Sequence, residues 1–378
     1  MISGLKDTFL KNVRNMNGWT TSRKIVVFES DDWGAIRMPS KKDYDSLLAK
    51  GLPVDKSFYN INDSLESNDD VEALFDVLSK YKDKNGDPAK FTALSVVANP
   101  DFDKIRANGF TKYEYEDVSK TLERYGNSHN RVHQLWNEGV ASGVYWSECH
   151  GREHVHVKRW MYAVNDAGSE SALSFDHEFY GLGGSDTLGP GRSFMPAFDI
   201  DSTEEIPAQA LILKDGVEIF DRIFGYRPQY FVAPNSTVST KLEPLLKEYG
   251  IDYIIGSRHQ KEPLGNGKFT HNYRYLGKRN DSGQMYLARN CQFEHGQSRS
   301  QNYNECLKDI QIAFNWKKPA VISTHRVNYI GCINEENRKK GLQQLDSLLK
   351  AIVQKWPDVE FMDSRQLAHL ADSKKVNI

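Results

Sequence analysis

The chain has 378 residues, of which 39% are hydrophobic and 26% are charged, so it can bury a sizeable core. Its 49 basic and 51 acidic side chains give a formal net charge of −2, and no basic run stands out, which excludes nucleic acid as an expected partner. No stretch approaches the ~20 consecutive apolar residues of a membrane span.

The N-terminal segment, residues 1–22, predicts an amphipathic helical extension. Lys6, Lys11 and Arg14 interrupt it, so it lacks the apolar region of a signal peptide. The four cysteines are scattered without CxxC spacing, at Cys149, Cys291, Cys306 and Cys332. This pattern predicts reduced thiols and a cytoplasmic protein, and it indicates neither a zinc ribbon nor a disulfide framework.

Short apolar runs alternate with helical patterns along the rest of the chain. The predicted strands are 24–30, 91–97, 143–149, 229–233, 252–256, 284–289, 319–324 and 358–362. The predicted helices are 41–50, 69–82, 114–138, 204–223, 238–249, 302–316 and 334–355. Apolar strands separated by helices predict an α/β fold with a parallel sheet covered on both faces. Seven or eight such units favour closure into a barrel.

Residues 165–203 break this alternation, because they are rich in Gly, Ser and Asp and show little periodicity. We interpret them as a loop insertion within a single domain spanning residues 1–378, serving as a lid or as a contact surface in a homo-oligomer. Its aromatic side chains are the groups expected to pack there, namely Phe175, Phe179, Tyr180, Phe194 and Phe198.

Titratable side chains follow three of the predicted strands, where the carboxyl ends of parallel strands meet. Asp31 and Asp32 follow the first, His150 and His154 a later one, and His325 ends another. Two imidazoles and one carboxylate suit zinc and leave a position open for water. Asp32 as a ligand relieves its repulsion with Asp31, which can then accept a proton from that water. His156, two residues further on, is interpreted as a strand-edge histidine.

The order of these motifs resembles the polysaccharide deacetylase superfamily, also called NodB homology or carbohydrate esterase family 4. "FESDDWG" (28–34) is similar to its T-F-D-D-G motif, and "HGREH" (150–154) matches the spacing of H-[ST]-x-x-H. "FTALSVVANPDF" (91–102), "RPQYFVAPN" (227–235) and "AVISTHRVNY" (320–329) resemble further segments of the family. The resemblance covers roughly residues 24–365.

This resemblance implies a deformed (β/α) barrel of about seven strands and a metal-dependent hydrolase that removes an acetyl group from a carbohydrate. Asp31 would be the base and His325 the general acid, and Asp32, His150 and His154 would bind the metal. The expected metal is Zn²⁺, with Co²⁺, Mn²⁺ or Ni²⁺ as alternatives, and the expected partner is an acetylated glycan.

The sequence departs from the family where an arginine normally orients the base, since Val232 stands there. Arg37, Arg289 and Arg326 are candidates for that task. Glu294 is the candidate partner of His325 in place of the family's Asp-Trp motif. Trp33 and Trp146 are expected to form walls of the pocket.

Three other functions fit parts of the pattern. Residues 150–154 also match H-x-x-E-H, the inverted zincin signature, with Glu153 as base. That motif requires a helix interior, which Gly151 and the preceding strand-like run disfavour. Two histidines and a carboxylate also bind non-haem iron, but usually on an all-β scaffold. A deacetylase-like protein that only binds carbohydrate is the remaining alternative, although it would need neither base nor acid.

Overall fold

The computed structural model of the chain describes residues 2–182, 193–296 and 302–373. Its strands are β1 Lys24–Trp33, β2 Phe91–Ser95, β3 Ala98–Pro100, β4 Tyr115–Asp117, β5 Tyr145–Cys149, β6 Tyr230–Val232, β7 Tyr253–Gly256, β8 His259–Gly265, β9 Lys268–Tyr273, β10 Met285–Ala288, β11 Cys291–Gln292, β12 Ala320–His325 and β13 Val359–Phe361.

Its α-helices are α1 Ile2–Arg14, α2 Lys41–Ala49, α3 Phe58–Asn62, α4 Asn68–Lys80, α5 Phe102–Ala107, α6 Val118–Arg124, α7 Val132–Ser142, α8 Val157–Val164, α9 Glu170–Phe175, α10 Ile206–Phe224, α11 Glu243–Glu248, α12 Tyr303–Asn315, α13 Glu335–Lys355 and α14 Ser364–Ser373. In these ranges, every helix is too short or too polar to traverse a lipid bilayer.

A parallel sheet organises the molecule. Its strands run in the order β10-β7-β6-β5-β2-β1-β12-β11, and β13 pairs with the first part of β1. The two ends of this path, β10 and β11, are consecutive in the chain and separated only by Arg289 and Asn290. A sheet whose outermost strands are joined by two residues must curl until its edges nearly meet. The predicted α/β barrel is therefore confirmed, with more strands in the sheet than the seven expected.

Strand β1 lies in the middle of this sheet and is buried on both faces. Val26 and Phe28 belong to one apolar cluster, and Ile25 and Val27 belong to another. Because successive side chains of a strand point to opposite faces, the uninterrupted apolar run supplies both clusters. This explains why the strand reads as a continuous hydrophobic segment in the sequence.

All eight predicted strands form, with ends that differ by a few residues. The predicted helix 114–138 is wrong, because the structure divides it into β4, α6 and the first part of α7. Gly126 has a positive φ of 76° between the two helices, a backbone conformation that ends a helix. Strand β11 was missed, since its sequence has no sustained apolar run.

The predicted insertion 165–203 is structured where the structure describes it. It contains α9, and all five aromatic side chains expected to pack there are at most 1% exposed. Residues 183–192, the middle of this segment, lie outside the described residues.

Replacing Gly341 by Ala is expected to destabilise the protein by about 3 kcal/mol. A Cβ atom at this position of α13 would overlap the backbone carbonyl oxygen of Asn328. Ala would gain only about 1 kcal/mol of helix propensity over Gly, so the overlap dominates. Urea unfolding measures the change, with Lys350→Ala on an exposed position of the same helix as the control. An equal stability of the Gly341 variant and wild type would contradict the packing.

Candidate active site

A cavity of about 490 Å³ opens at the carboxyl ends of the parallel strands. The side chains that reach it after or at successive strand ends are Asp31 and Asp32 from β1, His150 after β5, Asn235 after β6, Arg258 after β7, Arg289 after β10 and His325 from β12. Strand direction alone therefore brings together the three predicted groups of titratable residues.

A break in strand pairing lets both adjacent aspartates face this cavity. The ladder between β1 and β2 is regular up to Ser30 and resumes out of register at Trp33, so Asp31 and Asp32 lie in an irregularity. Asp32 has a φ of 77°, a left-handed conformation that is uncommon for a residue with a side chain. In a regular strand one of the two carboxylates would point to the opposite face.

Asp32, His150 and His154 form one buried cluster, and a ligand atom of each lies within 4.8 Å of the others. Asp32 Oδ1 is 3.0 Å from His154 Nε2 and 3.5 Å from His150 Nε2. Burial, and next the positive charge of Arg37, lower the pKa of His154 to about 4, so its ring is neutral at pH 7. Neutral imidazole is the form that binds a metal.

The hydrogen bond of His150 shows that this cluster is suited to a cation. His150 Nδ1 donates to the backbone carbonyl of Val232 at 2.8 Å, so in the neutral ring Nε2 carries a lone pair. In that form Nε2 and the Asp32 carboxylate direct their acceptor atoms at the same space, where a divalent cation could bind both. The backbone carbonyl also fixes the ring orientation, as in known zinc sites. The donor set thus fits a divalent metal with three protein ligands.

The second oxygen of Asp32 is held by an arginine. Arg37 Nη2 donates to Asp32 Oδ2 at 2.8 Å, which leaves Oδ1 to face the two histidines. Arg37 Nε also lies 3.5 Å from Asp63, which in turn accepts from Arg326. Burial raises the pKa of Asp32, but the positive charge of Arg37 is the largest effect against it, and the pKa is well below its usual value. Asp32 is therefore ionised and oriented before any ligand binds.

Asp31 is held by Arg289, one of the three arginines that the sequence offered. Arg289 donates to both carboxylate oxygens, with Nη1 to Oδ2 at 2.7 Å and Nη2 to Oδ1 at 2.5 Å. Its Nε donates to the buried Glu29 at 2.7 Å, which fixes the guanidinium from behind. Burial raises the pKa of Asp31, but Arg289 outweighs it and the pKa is lowered overall. Asp31 is consequently a carboxylate at neutral pH.

The His325 ring lies between two carboxylates, those of Glu294 and Asp31. Nδ1 is 2.5 Å from Glu294 Oε1, and Nε2 is 3.6 Å from Asp31 Oδ2. Asn328 donates to the other oxygen of Glu294 at 2.7 Å, so that carboxylate is held at both ends. Burial lowers the pKa of His325, but Glu294 and then Asp31 raise it to about 9. The imidazole is therefore protonated at pH 7.

The structure corrects several expectations from the sequence. Arg37 and Arg326 do not pair with Asp31; Arg37 binds Asp32, and Arg326 binds Asp63 and Glu66. Trp33 is no pocket wall, since it is fully buried and donates to Ser30 Oγ at 3.0 Å.

Two further expectations concern the neighbourhood of the histidines. Trp146 stacks on Tyr226 with ring centroids 4.4 Å apart, outside the cavity lining. His156 is not a strand-edge residue, because it caps the N-terminus of α8.

The segment 150–154 is not helical, so the inverted zincin geometry is absent there. Gly151 has a φ of 101°, and Glu153 pairs with Arg152 at 2.5 Å instead of lining the cavity. A metallopeptidase of this type would therefore lack both the helix that carries its ligands and a glutamate base in the cavity.

Sequence reasoning missed several residues that line the cavity, among them Arg14, Tyr59, Met195 and Arg258. Arg14 comes from the N-terminal helix α1 and Met195 from the insertion, so segments outside the barrel complete the site. Tyr59 packs edge-on against His325, with ring centroids 5.6 Å apart. Arg14, Tyr59 and Met195 follow no predicted strand, which was the signal used to find the others, whereas Arg258 follows the predicted strand 252–256 and was not singled out.

Residues 191–356 match the family model Glycosyl hydrolase family 57, which is less than half of the chain. The matched segment contains Arg289, Glu294 and His325 but not the two aspartates or the two clustered histidines. No curated protein matches the sequence significantly.

Solved structures of two kinds of carbohydrate-active hydrolase are similar in fold. A Mycobacterium smegmatis protein described as a polysaccharide deacetylase is 12% identical, with 95% of this chain and 94% of that chain covered and a TM-score of 0.43. A family 4 acetyl xylan esterase from Clostridium thermocellum, in complex with a cobalt ion, is 12% identical over 92% and 91%, at a TM-score of 0.38. The alpha-amylase AmyC from Thermotoga maritima is 10% identical over 91% and 74%, at a TM-score of 0.43. The likeness to deacetylases is one of structure alone, since the matching family model describes glycosidases.

Proposed function

We propose that this protein is a metal-dependent hydrolase that removes an acyl group, most simply acetyl, from a carbohydrate. One observation carries the proposal: a metal-suited cluster, an ionised aspartate and a protonated histidine line the same cavity. Hydrolysis of an amide or ester needs an activated water, a base for its proton and an acid for the leaving group. The three groups can supply these functions.

Asp32, His150 and His154 are proposed to hold the dication, preferably Zn²⁺. When bound, such an ion lowers the pKa of water and polarises a carbonyl oxygen. Asp31 then accepts the proton of the attacking water. Arg289 keeps Asp31 ionised and holds both of its oxygens in place, so that the base is oriented toward the cavity. This is the task that Val232 cannot perform.

His325 is proposed to donate a proton to the leaving nitrogen or oxygen of the sugar. Its Nδ1 is engaged by Glu294, so Nε2 is the nitrogen left to face the cavity. An amine leaves poorly without a proton, and a positioned acid contributes about 10²–10⁴-fold in such reactions. Protonated His325 and ionised Asp31 together provide the acid and the base.

Cleavage of a glycosidic bond is the second candidate, because a glycosidase family model matches part of the chain. Most glycosidases need two carboxyl groups, one of which keeps its proton through a raised pKa. The pKa values of Asp31 and Asp32 are both lowered, the first chiefly through Arg289 and the second chiefly through Arg37, in each case against the effect of burial. These carboxylates therefore suit a base and a metal ligand better than a glycosidase pair.

The proposal is tested with the full-length protein loaded in turn with Zn²⁺, Co²⁺, Mn²⁺ or Ni²⁺. We expect acetate release from acetylated sugars, with loss of release after chelation and recovery after metal is restored. Release of reducing sugar from α-glucans without acetate would favour the glycosidase instead. Bound metal without any product would favour a carbohydrate-binding protein, and peptide cleavage would favour a peptidase.

Glu294→Gln should shift the alkaline limb of the pH profile to lower pH. An acid must be protonated, so activity falls as pH rises through the pKa of His325, which is about 9. Burial lowers that pKa and Glu294 raises it, so a neutral Gln moves the loss of activity toward neutral pH. Rates of acetate release from pH 5 to 10 measure the shift, with Glu262→Gln, at a residue outside the cavity lining, as the control. An unmoved alkaline limb would contradict the role of His325.

A further inference from the structure

Arginine side chains in the interior of this protein are almost all neutralised by carboxylates. In the described part of the chain six arginines are buried, at positions Arg37, Arg152, Arg159, Arg258, Arg274 and Arg326. Five of them have an aspartate or glutamate partner within 3.1 Å. Arg258 is the exception, because within the described ranges no carboxylate lies within 4.0 Å of it.

Arg258 lines the active-site cavity and is only 8% exposed. Its Nη2 donates to the hydroxyl of Tyr273, and its guanidinium lies 4.7 Å from the centroid of the same ring. Neither contact carries a negative charge. A guanidinium has five N–H donors, and the remaining ones have no partner among the residues of the described ranges.

Two further cations lie near Arg258. Arg14, in the last turn of α1, lines the same cavity and likewise has no carboxylate partner in the described ranges. Lys318 is buried and, among the residues that the structure describes, donates only to the backbone carbonyls of Gly18 and Trp19. Arg14, Arg258 and Lys318 line a small cleft of about 30 Å³ that shares Arg14, Arg258 and Arg289 with the main cavity. We name Arg14, Arg258 and Lys318 the basic subsite.

The position of Arg14 is fixed by contacts between helix α1 and the rest of the protein. Helix α1 is fastened to α12 by the ion pair of Lys11 with Asp309 at 2.9 Å and by the Trp316 indole, which donates to Asn12 at 2.8 Å. Asn290, in the link that closes the barrel, donates to Asn15 at 2.8 Å. These contacts hold the end of α1 over the cavity.

Uncompensated positive charge in a partly desolvated place is unfavourable unless an anion occupies it. Lys318 shows this unfavourable effect, because burial, and after it the positive charge of Arg258, lower the pKa of its ammonium group. An exposed cation would be solvated instead, as Arg227 is at 63% side-chain exposure beside Asp221. The arrangement at the cavity therefore suits a ligand that brings its own negative charge.

We propose that the basic subsite binds an anionic group of the substrate, either a carboxylate or a phosphate. Planar guanidinium groups bind both of these anions in a bidentate manner. This inference rests on the proposed function for the sugar and its acyl group, and it adds that the sugar is acidic. The acyl group would then lie at Asp31 and His325 while the anion lies at Arg14 and Arg258.

The test compares three matched substrates with the metal-loaded full-length protein: an acetylated neutral sugar, the same sugar with a carboxylate at C6, and the same sugar with a 6-phosphate. We expect kcat/KM to be at least about 10-fold higher for one of the acidic sugars than for the neutral one. Arg258→Gln and Arg14→Gln should each bring this preference back toward 1, a loss of about 10-fold, mainly through KM. Which acidic sugar is preferred identifies the anion.

Arg227→Gln is the control, because it removes a positive charge that lines neither the main cavity nor the small cleft. Arg14→Gln keeps the test decisive if the Arg258 variant does not fold, since Arg14 lies on the outer helix α1. Equal kcat/KM for neutral and acidic sugars, or the same change in the Arg227 variant, would overturn the inference while leaving the proposed function intact.

Calorimetry with inorganic phosphate and with glucuronate separates failure of the subsite from failure of the proposed function. If no acetylated sugar is hydrolysed, weaker binding of either anion to the Arg258 variant than to wild type still supports the subsite. Absence of binding of both anions to wild type overturns it.

Discussion

Asp32→Ala should bind no metal and should lose at least about 1,000-fold in kcat/KM, which corresponds to several kcal/mol of transition-state stabilisation. Asp32 Oδ1 faces both His150 and His154, so its removal takes away the only carboxylate of the proposed ligand set. The two neutral imidazoles that remain make a much weaker site. Metal stoichiometry by elemental analysis and the rate of acetate release measure the two effects.

Loss of Asp32 also leaves Arg37 without its closest partner, so the fold must be controlled. Asp32→Asn keeps the shape of the side chain and should show the same loss of metal with an unchanged circular dichroism spectrum. Asp103→Ala, at a side chain that is 87% exposed, is the matched control for removing one aspartate. Unchanged metal content in both Asp32 variants would remove Asp32 from the ligand set.

Asp31→Asn should keep the metal and lose about 10²–10⁴-fold in kcat, the usual contribution of a general base. The pKa of Asp31 is lowered by Arg289 against the effect of burial, so wild type carries the ionised base at pH 7 and above. Asparagine preserves the size of the side chain but accepts no proton. Steady-state kinetics together with metal analysis distinguish this variant from Asp32→Ala, which loses both properties.

The contrast between kcat and metal content makes this second prediction specific. Arg289→Lys is the companion variant, because lysine keeps the positive charge but cannot donate to both oxygens of Asp31. It should lower kcat less than Asp31→Asn does. If Asp31→Asn retained wild-type turnover, the base would have to be another residue.

Much of the fold could be predicted because it depends on local pattern. The apolar run of β1 is buried on both faces of a parallel sheet, and a continuous run of this kind predicts a strand without knowledge of its partners. Helix 114–138 was wrong because an apolar helical period continued across Gly126 and the strand β4, which pairs with β3. The sequence pattern contains no information on that pairing.

The candidate site was predictable in its residue types and only partly in its contacts. Strand ends brought Asp31, His150 and His325 to one cavity. The choice of Arg289 over Arg37 and Arg326 was not predictable, because it depends on which strands form the two edges of the sheet. The same holds for the pairing irregularity at Asp31 and Asp32, which is a property of β1 and β2 together.

The two-residue link between β10 and β11 has a consequence for inactivation. Its first residue, Arg289, donates hydrogen bonds to Asp31 and Glu29 on β1. The link that closes the barrel therefore also positions the proposed base. If β10 or β11 moved away from its neighbouring strand, the guanidinium of Arg289 would be displaced from Asp31. On heating, activity should therefore be lost when the strand pairing of β10 and β11 weakens, before the other strands of the sheet separate.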